Sequence, residues 1–121
     1  AGRVTLDEYF EGRPDARAIF EAVRQAADAI GPVEYRVTKS QIALARGATF
    51  AIVWIPGVYL HGRGAPLVLT LPLRHRDPSP RWKEVVEPHP GRFTHHLELW
   101  SPDDIDSEVI GWLREAWDEA E

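Results

Sequence analysis

Five polar residues form the set best suited to hold an anion: Lys39, Ser40, Gln41, Arg74 and His96. Lys39 and Arg74 supply positive charge, Ser40 and Gln41 supply a hydroxyl and an amide to orient a ligand, and His96 supplies an imidazole. Covalent chemistry is harder to build from them. A Ser40 nucleophile would need Lys39 deprotonated beside it, a geometry that chain neighbours rarely reach. His96 lies two positions from Glu98, on the same side of an extended strand and roughly 7 Å away. That pair suggests an alternative, a metal-independent hydrolase with His96 as base, provided that a substrate proton comes within about 3 Å. Whether the chain is an enzyme stays open at this level, and a binding role fits the residue types better.

His95 and His96 are adjacent, so a strand sends them to opposite faces. His95 then shares the inward row of Leu97 and Leu99 as a satisfied core histidine, and His96 faces outward. Adjacent strand histidines do not converge on one metal, and no cysteine is present, so neither a metal nor a cofactor is expected.

A second basic group, Arg63, Arg74, His75, Arg76, Arg81 and Lys83, is interleaved with Tyr59 and Trp82 and could grip a phosphate backbone. Weak nucleic-acid binding is thus a further alternative. Residues 33–97 carry nine Lys/Arg against four acids, while the flanks carry five against fifteen. A basic middle between acidic ends predicts faces of different sign, one of them attracting anions. The net charge of -5 nevertheless argues against a general nucleic-acid binder. Gly57, Gly62 and Gly64 lack the Gly-Lys-Ser/Thr ending of a phosphate loop.

The elements that must position these groups follow from side-chain rhythm. Thr5 and Glu8 match a capping box, opening a short helix that stops near Gly12. Pro14 suits the first turn of a second helix, whose stripe is Ile19, Phe20, Val23, Ala26, Ala27 and Ile30. Gly31-Pro32 ends it. The period then changes to two. Val33, Tyr35 and Val37 alternate with polar residues, as do Ile42 and Leu44, with Lys39-Ser40 as a two-residue loop lacking the usual Gly or Asn. After a turn at Arg46-Gly47-Ala48, Phe50, Ile52 and Trp54 are expected to share the inward face. Leu67, Leu69, Leu71 and Leu73 point one way from residues 66–73, and Pro72 marks an edge or a strand end. Residues 93–99 make a fifth strand. The connection 75–92 is rich in proline, with one helical turn expected around Trp82–Val86. Ser101-Pro102-Asp103-Asp104 opens a closing helix with Ile105, Val109, Trp112, Leu113, Ala116 and Trp117 as its apolar stripe. Trp54, Trp112 and Trp117 are expected in the core.

Helices at the ends and strands between them cannot form parallel crossover units. The expected fold is α+β: a single antiparallel sheet of about five strands, with N-terminal and C-terminal helices packed on one face and residues 1–121 forming one domain. Its outward face would hold Arg36, Thr38, Gln41, Ala43, Ala45, Ala51, Val53, Val68, Thr70, His96 and Glu98. That face would be a ligand platform, a protein-partner surface or a homodimer contact, unless Leu6 and Phe10 of the first helix cover it. No segment has the roughly 20 apolar residues of a membrane span, and no secretory signal pattern opens the chain. A cytoplasmic location is therefore expected.

Three segments, Val33-Glu34-Tyr35-Arg36-Val37-Thr38-Lys39-Ser40-Gln41-Ile42-Ala43, Ser79-Pro80-Arg81-Trp82-Lys83-Glu84-Val85-Val86 and Gly91-Arg92-Phe93-Thr94-His95-His96-Leu97-Glu98-Leu99, resemble a small bacterial family catalogued as domain of unknown function 5655. The resemblance spans nearly the whole chain and implies a small α+β domain. It brings no activity with it. Leu44 stands where the family commonly has an aromatic residue, a small apolar exchange that leaves the fold intact.

Overall fold

A computed structural model describes residues 4–58 and 64–120. The Thr5 capping box forms, with the Thr5 hydroxyl accepting from Glu8 N–H and the Glu8 carboxylate accepting from Thr5 N–H, and it opens α1 (Leu6–Tyr9). Pro14 starts α2 (Pro14–Ile30). Six strands follow: β1 (Glu34–Val37), β2 (Ile42–Arg46), β3 (Ala48–Trp54), β4 (Leu67–Leu73), β5 (Glu84–His89) and β6 (Arg92–Leu99). A 3₁₀ turn, Pro102–Asp104, leads to the closing helix α3 (Ser107–Glu119). Every pairing is antiparallel, and the strand order is β1-β2-β3-β4-β6-β5. The expected α+β architecture is therefore present, with one strand more than the alternation indicates.

The core is the row of leucines under the two long helices. Val53 pairs with Leu69 and Leu69 with Leu97, while Leu67 pairs with Leu99. These residues are buried together with Ile19, Phe20 and Val23 of α2 and Val109, Leu113 and Ala116 of α3. Burying each of the larger of these side chains contributes about 1.5–3 kcal/mol, which is what fixes the sheet against the helices. Phe10, the C-cap of α1, packs on Phe20, ring centroids 5.4 Å apart, so α1 joins the helical layer and does not cover the opposite sheet face.

The structure departs from the sequence pattern at four places, each with a local cause. In β3 the register changes from Leu44↔Ala51 to Ala45↔Thr49, which leaves Phe50 as an extra, bulged residue. A bulge shifts the alternation by one. Phe50 is buried, yet the inward residues after it are Ala51, Val53 and Ile55, while Ile52 and Trp54 face outward. The segment around Trp82–Val86 is no helical turn: residues from Glu84 onward form β5, an edge strand whose free side tolerates Pro88. Pro72 lies inside the sheet but beyond the last β3–β4 pair, Ile52↔Thr70, where no β3 partner needs its missing N–H. The closing helix takes its cap from Asp106, which accepts from Val109 N–H, while Ser101 serves only the preceding 3₁₀ turn.

Gly31 ends α2 with an extended backbone, and a packing contact explains its identity. A Cβ there would lie 2.4 Å from the Trp117 ring. The same ring carries the Arg46 guanidinium 3.6 Å from its centroid and donates its indole N–H to the Pro32 carbonyl. Trp117 is thus half-buried at the seam between α3, β2 and the end of α2.

Candidate functional site

On the sheet face away from the helices, one row crosses all six strands: Arg36, Ala43, Ile52, Thr70, His96 and Glu84. Beside the centre of this row, Ser40, Gln41, Ile52, Trp54, Thr70 and His96 line a groove of about 290 Å³. That volume lies at the small end for ligand sites. Gln41 reaches the groove because it sits one residue before Ile42, level with Trp54 on the neighbouring strand.

The turn that delivers Ser40 and Gln41 is held by Thr38. Thr38 N–H donates to the Gln41 carbonyl at 2.9 Å, closing a two-residue loop. The Thr38 hydroxyl donates to the same carbonyl and accepts from the backbone N–H of Gln41. This side-chain brace takes the place of the Gly or Asn that such turns normally use. Tyr9 of α1 adds a hydrogen bond from its phenol to the Ser40 carbonyl at 3.3 Å.

Inside the groove a three-residue chain fixes the polar groups. Trp54 Nε1 donates to Thr70 Oγ1 at 2.9 Å, and Thr70 Oγ1 lies 2.9 Å from His96 Nδ1. An indole N–H only donates, so Thr70 accepts from Trp54 and has its own proton for His96 Nδ1. With the Thr70 proton on Nδ1, His96 would carry its own ring proton on Nε2. That nitrogen has no partner among the described residues, and no fully buried polar side-chain atom is left unbonded, so Nε2 is within reach of solvent. Burial pushes His96 below the ordinary imidazole range against an upward pull from Glu84, which keeps the ring neutral near pH 7.

The catalytic alternative finds little support in this geometry. Glu98 is engaged by Lys83 Nζ at 3.2 Å, so the His96–Glu98 pairing is not formed. The Thr70 hydroxyl, placed like a nucleophile beside an imidazole, is buried mid-strand and takes an indole N–H on its oxygen.

The remaining sequence candidates fall in different places. Lys39 is exposed in the turn next to Ser40 and outside the lining of the groove. Arg74 is remote: its backbone N–H donates to the Glu119 carboxylate and its guanidinium to the Glu119 carbonyl, at a notch of about 160 Å³ by the end of α3. The basic stretch does not converge on one surface. Arg81 pairs with Asp106 and Glu108, Lys83 with Glu98, and His75 with Glu115. Part of the expected positive face is thus neutralised, at Arg81 and His75 by acids at the start and within α3. Arg63 and Tyr59 lie outside the described residues.

His95 is the inward partner expected. It is fully buried, with Nδ1–H donating to the Phe93 carbonyl and Nε2 accepting from Asp77 N–H. The Asp77 carboxylate in turn accepts from the indoles of Trp82 and Trp112 and from Ser79 N–H. Asp77, Thr38, Thr70 and Trp54 are the residues that pattern reading missed as organisers. Thr70 was legible from the parity of β4, whereas Trp54 was hidden by the bulge at Phe50.

A family model described as a domain of unknown function (DUF5655) matches residues 6–120. The chain is a member of that family. No curated protein and no solved structure matches it significantly. Among the described residues no helix is long and apolar enough to cross a membrane, and no three His, Asp or Glu side chains cluster as a metal set.

Proposed function

We propose that the domain binds a small anionic molecule in the open-face groove and does not act on it chemically. The observation that carries this reading is the meeting of Ser40, Gln41 and His96, drawn from a turn and a distant strand, around a single recess with one ring N–H left for an acceptor. Lys39 adds charge at the adjoining turn and makes no ion pair among the described residues. Arg74 has no part in this site. A bacterial, cytoplasmic setting belongs to the same proposal, and a cysteine-free chain suits a reducing compartment.

The test is a titration of the isotopically labelled domain with acetate and with inorganic phosphate, followed by backbone and side-chain NMR. Saturable shifts at Ser40, Gln41, Ile52, Trp54, Thr70 and His96 support the proposal, with weaker binding expected in K39A. Shifts at those residues that follow protein concentration instead of anion concentration would replace it with a homodimer through the same face. Shifts confined to the Arg74 notch would move the anion site elsewhere and sink the groove reading.

A further inference from the structure

We infer that the groove is selective for a carboxylate on an apolar body, and that Thr70 is the positioning residue that sets this selectivity by holding His96 as the Nε2–H tautomer. The inference rests on the proposal that the groove binds an anion, and it deepens that reading in two steps.

The first step is the direction of the hydrogen bonds. Trp54 can only donate, so the Thr70 oxygen is committed to accepting from it, and the Thr70 proton is directed to His96 Nδ1. In the other tautomer, Nδ1–H would also point at the Thr70 oxygen, and the hydroxyl proton of this buried residue would lose its acceptor. Leaving such a donor unsatisfied is enough to bias the ring by roughly fivefold or more. The chain therefore ends in a donor at the groove, and the matching ligand atom is an acceptor.

The second step is the number and kind of groups. The groove offers one imidazole N–H and the Gln41 amide, with the Ser40 hydroxyl shared with Thr38 Oγ1 at 3.4 Å, beside the side chains of Ile52 and Trp54. Among the described residues no arginine lines it, and the nearest unpaired cation along the chain is the single Lys39. A phosphate group, with about -1.5 to -2 charges and three strong acceptor oxygens, asks for more donors and more charge than this. A carboxylate has one charge and two oxygens, and its carbon skeleton suits the aliphatic and aromatic wall. Charge elsewhere on the face adds no free cation: Lys83 is held by Glu98 and Arg36 by Glu34, while Glu84, an anion opposite His96, works against a multiply charged ligand more than against a singly charged one.

The experiment uses benzoate, benzamide, benzylamine and inorganic phosphate as probes, with the whole domain as wild type, T70V and T70S. Each variant is first checked for an unchanged fold by its backbone spectrum. Benzoate is expected to bind the wild-type groove at least about tenfold more tightly than benzylamine or phosphate, with benzamide between them. T70V, nearly equal in volume, should weaken benzoate by about tenfold and let His96 populate both tautomers, and T70S should restore both properties. If phosphate binds the groove as well as benzoate does, or if T70V leaves benzoate affinity and the tautomer unchanged, the inference fails while the groove remains an anion site. If none of the anions perturbs the groove, the underlying proposal falls as well.

Discussion

His95 and His96 are consecutive residues of one strand, and their surroundings differ in almost every physical respect. His95 points into a closed cluster on the helix side, where both ring nitrogens are used and the Trp82 ring packs 4.7 Å away. His96 points to the open face, where one nitrogen is used and the other is available. Burial lowers the proton affinity of both rings, so titration behaviour does not separate them. What separates them is completeness. A fully satisfied buried network stabilises and specifies a fold. A network that stops one bond short, at a concave surface, is where a ligand can complete it.

The contrast predicts unequal costs of mutation. The largest effect is expected from Trp112→Ala, which removes a buried ring stacked 4.1 Å from Trp82 and one donor to Asp77. Chemical denaturation should show a loss of about 3–5 kcal/mol. Asp77→Asn keeps the shape but turns one acceptor into a donor facing an indole or a backbone N–H, and about 1–3 kcal/mol should be lost. On the other face, His96→Gln should change stability by less than about 1 kcal/mol, because one hydrogen bond to Thr70 and an edge contact with Trp54 are disturbed. A His96→Gln loss as large as that of Trp112→Ala would mean that the groove is part of the stabilising core and erase the distinction.

Acid sharpens the same comparison. Burial works to raise the Asp77 carboxyl, but the Trp82 indole, Ser79 N–H and Trp112 indole outweigh it and hold the group below its usual range. A depressed carboxyl contributes stability that is present above roughly pH 4 and is lost as pH falls through the lowered folded value. His95 and His96 both resist protonation by burial, so the unfolded chain takes up protons first and their contribution declines below about pH 6.5, against a smaller opposite one from exposed His75, which Glu115 holds protonated. Stability measured against pH should therefore fall in two stages on acidification. The lower stage should shrink in Asp77→Asn, and its persistence there would assign acid sensitivity to another carboxyl.

Much of the helix-side region is legible from residue order because it depends on regular alternation. Leu67, Leu69, Leu71 and Leu73 announce one buried row, and the two amphipathic stripes announce what covers it. The pattern fails where one residue breaks the rhythm: the bulge at Phe50 exchanges the roles of Val53 and Trp54, and no local signal in that segment distinguishes the two registers. β5 is obscured because its proline and charges belong to a solvent-facing edge, which lacks a fully buried row. At the groove, Ser40, Gln41 and His96 are identifiable by polarity and parity. Their convergence depends on strand order, which places β6 beside β4 and so sets His96 next to Thr70. Arg74 has suitable chemistry but sits at the far end of β4, where α3 engages it.

The most direct test of the contrast is a long-range proton–nitrogen NMR spectrum of the histidine rings in the ligand-free domain at neutral pH. The account predicts opposite neutral tautomers on consecutive residues: His95 protonated on Nδ1 and His96 protonated on Nε2. A His96 ring protonated on Nδ1, or one divided evenly between the two forms, would contradict it.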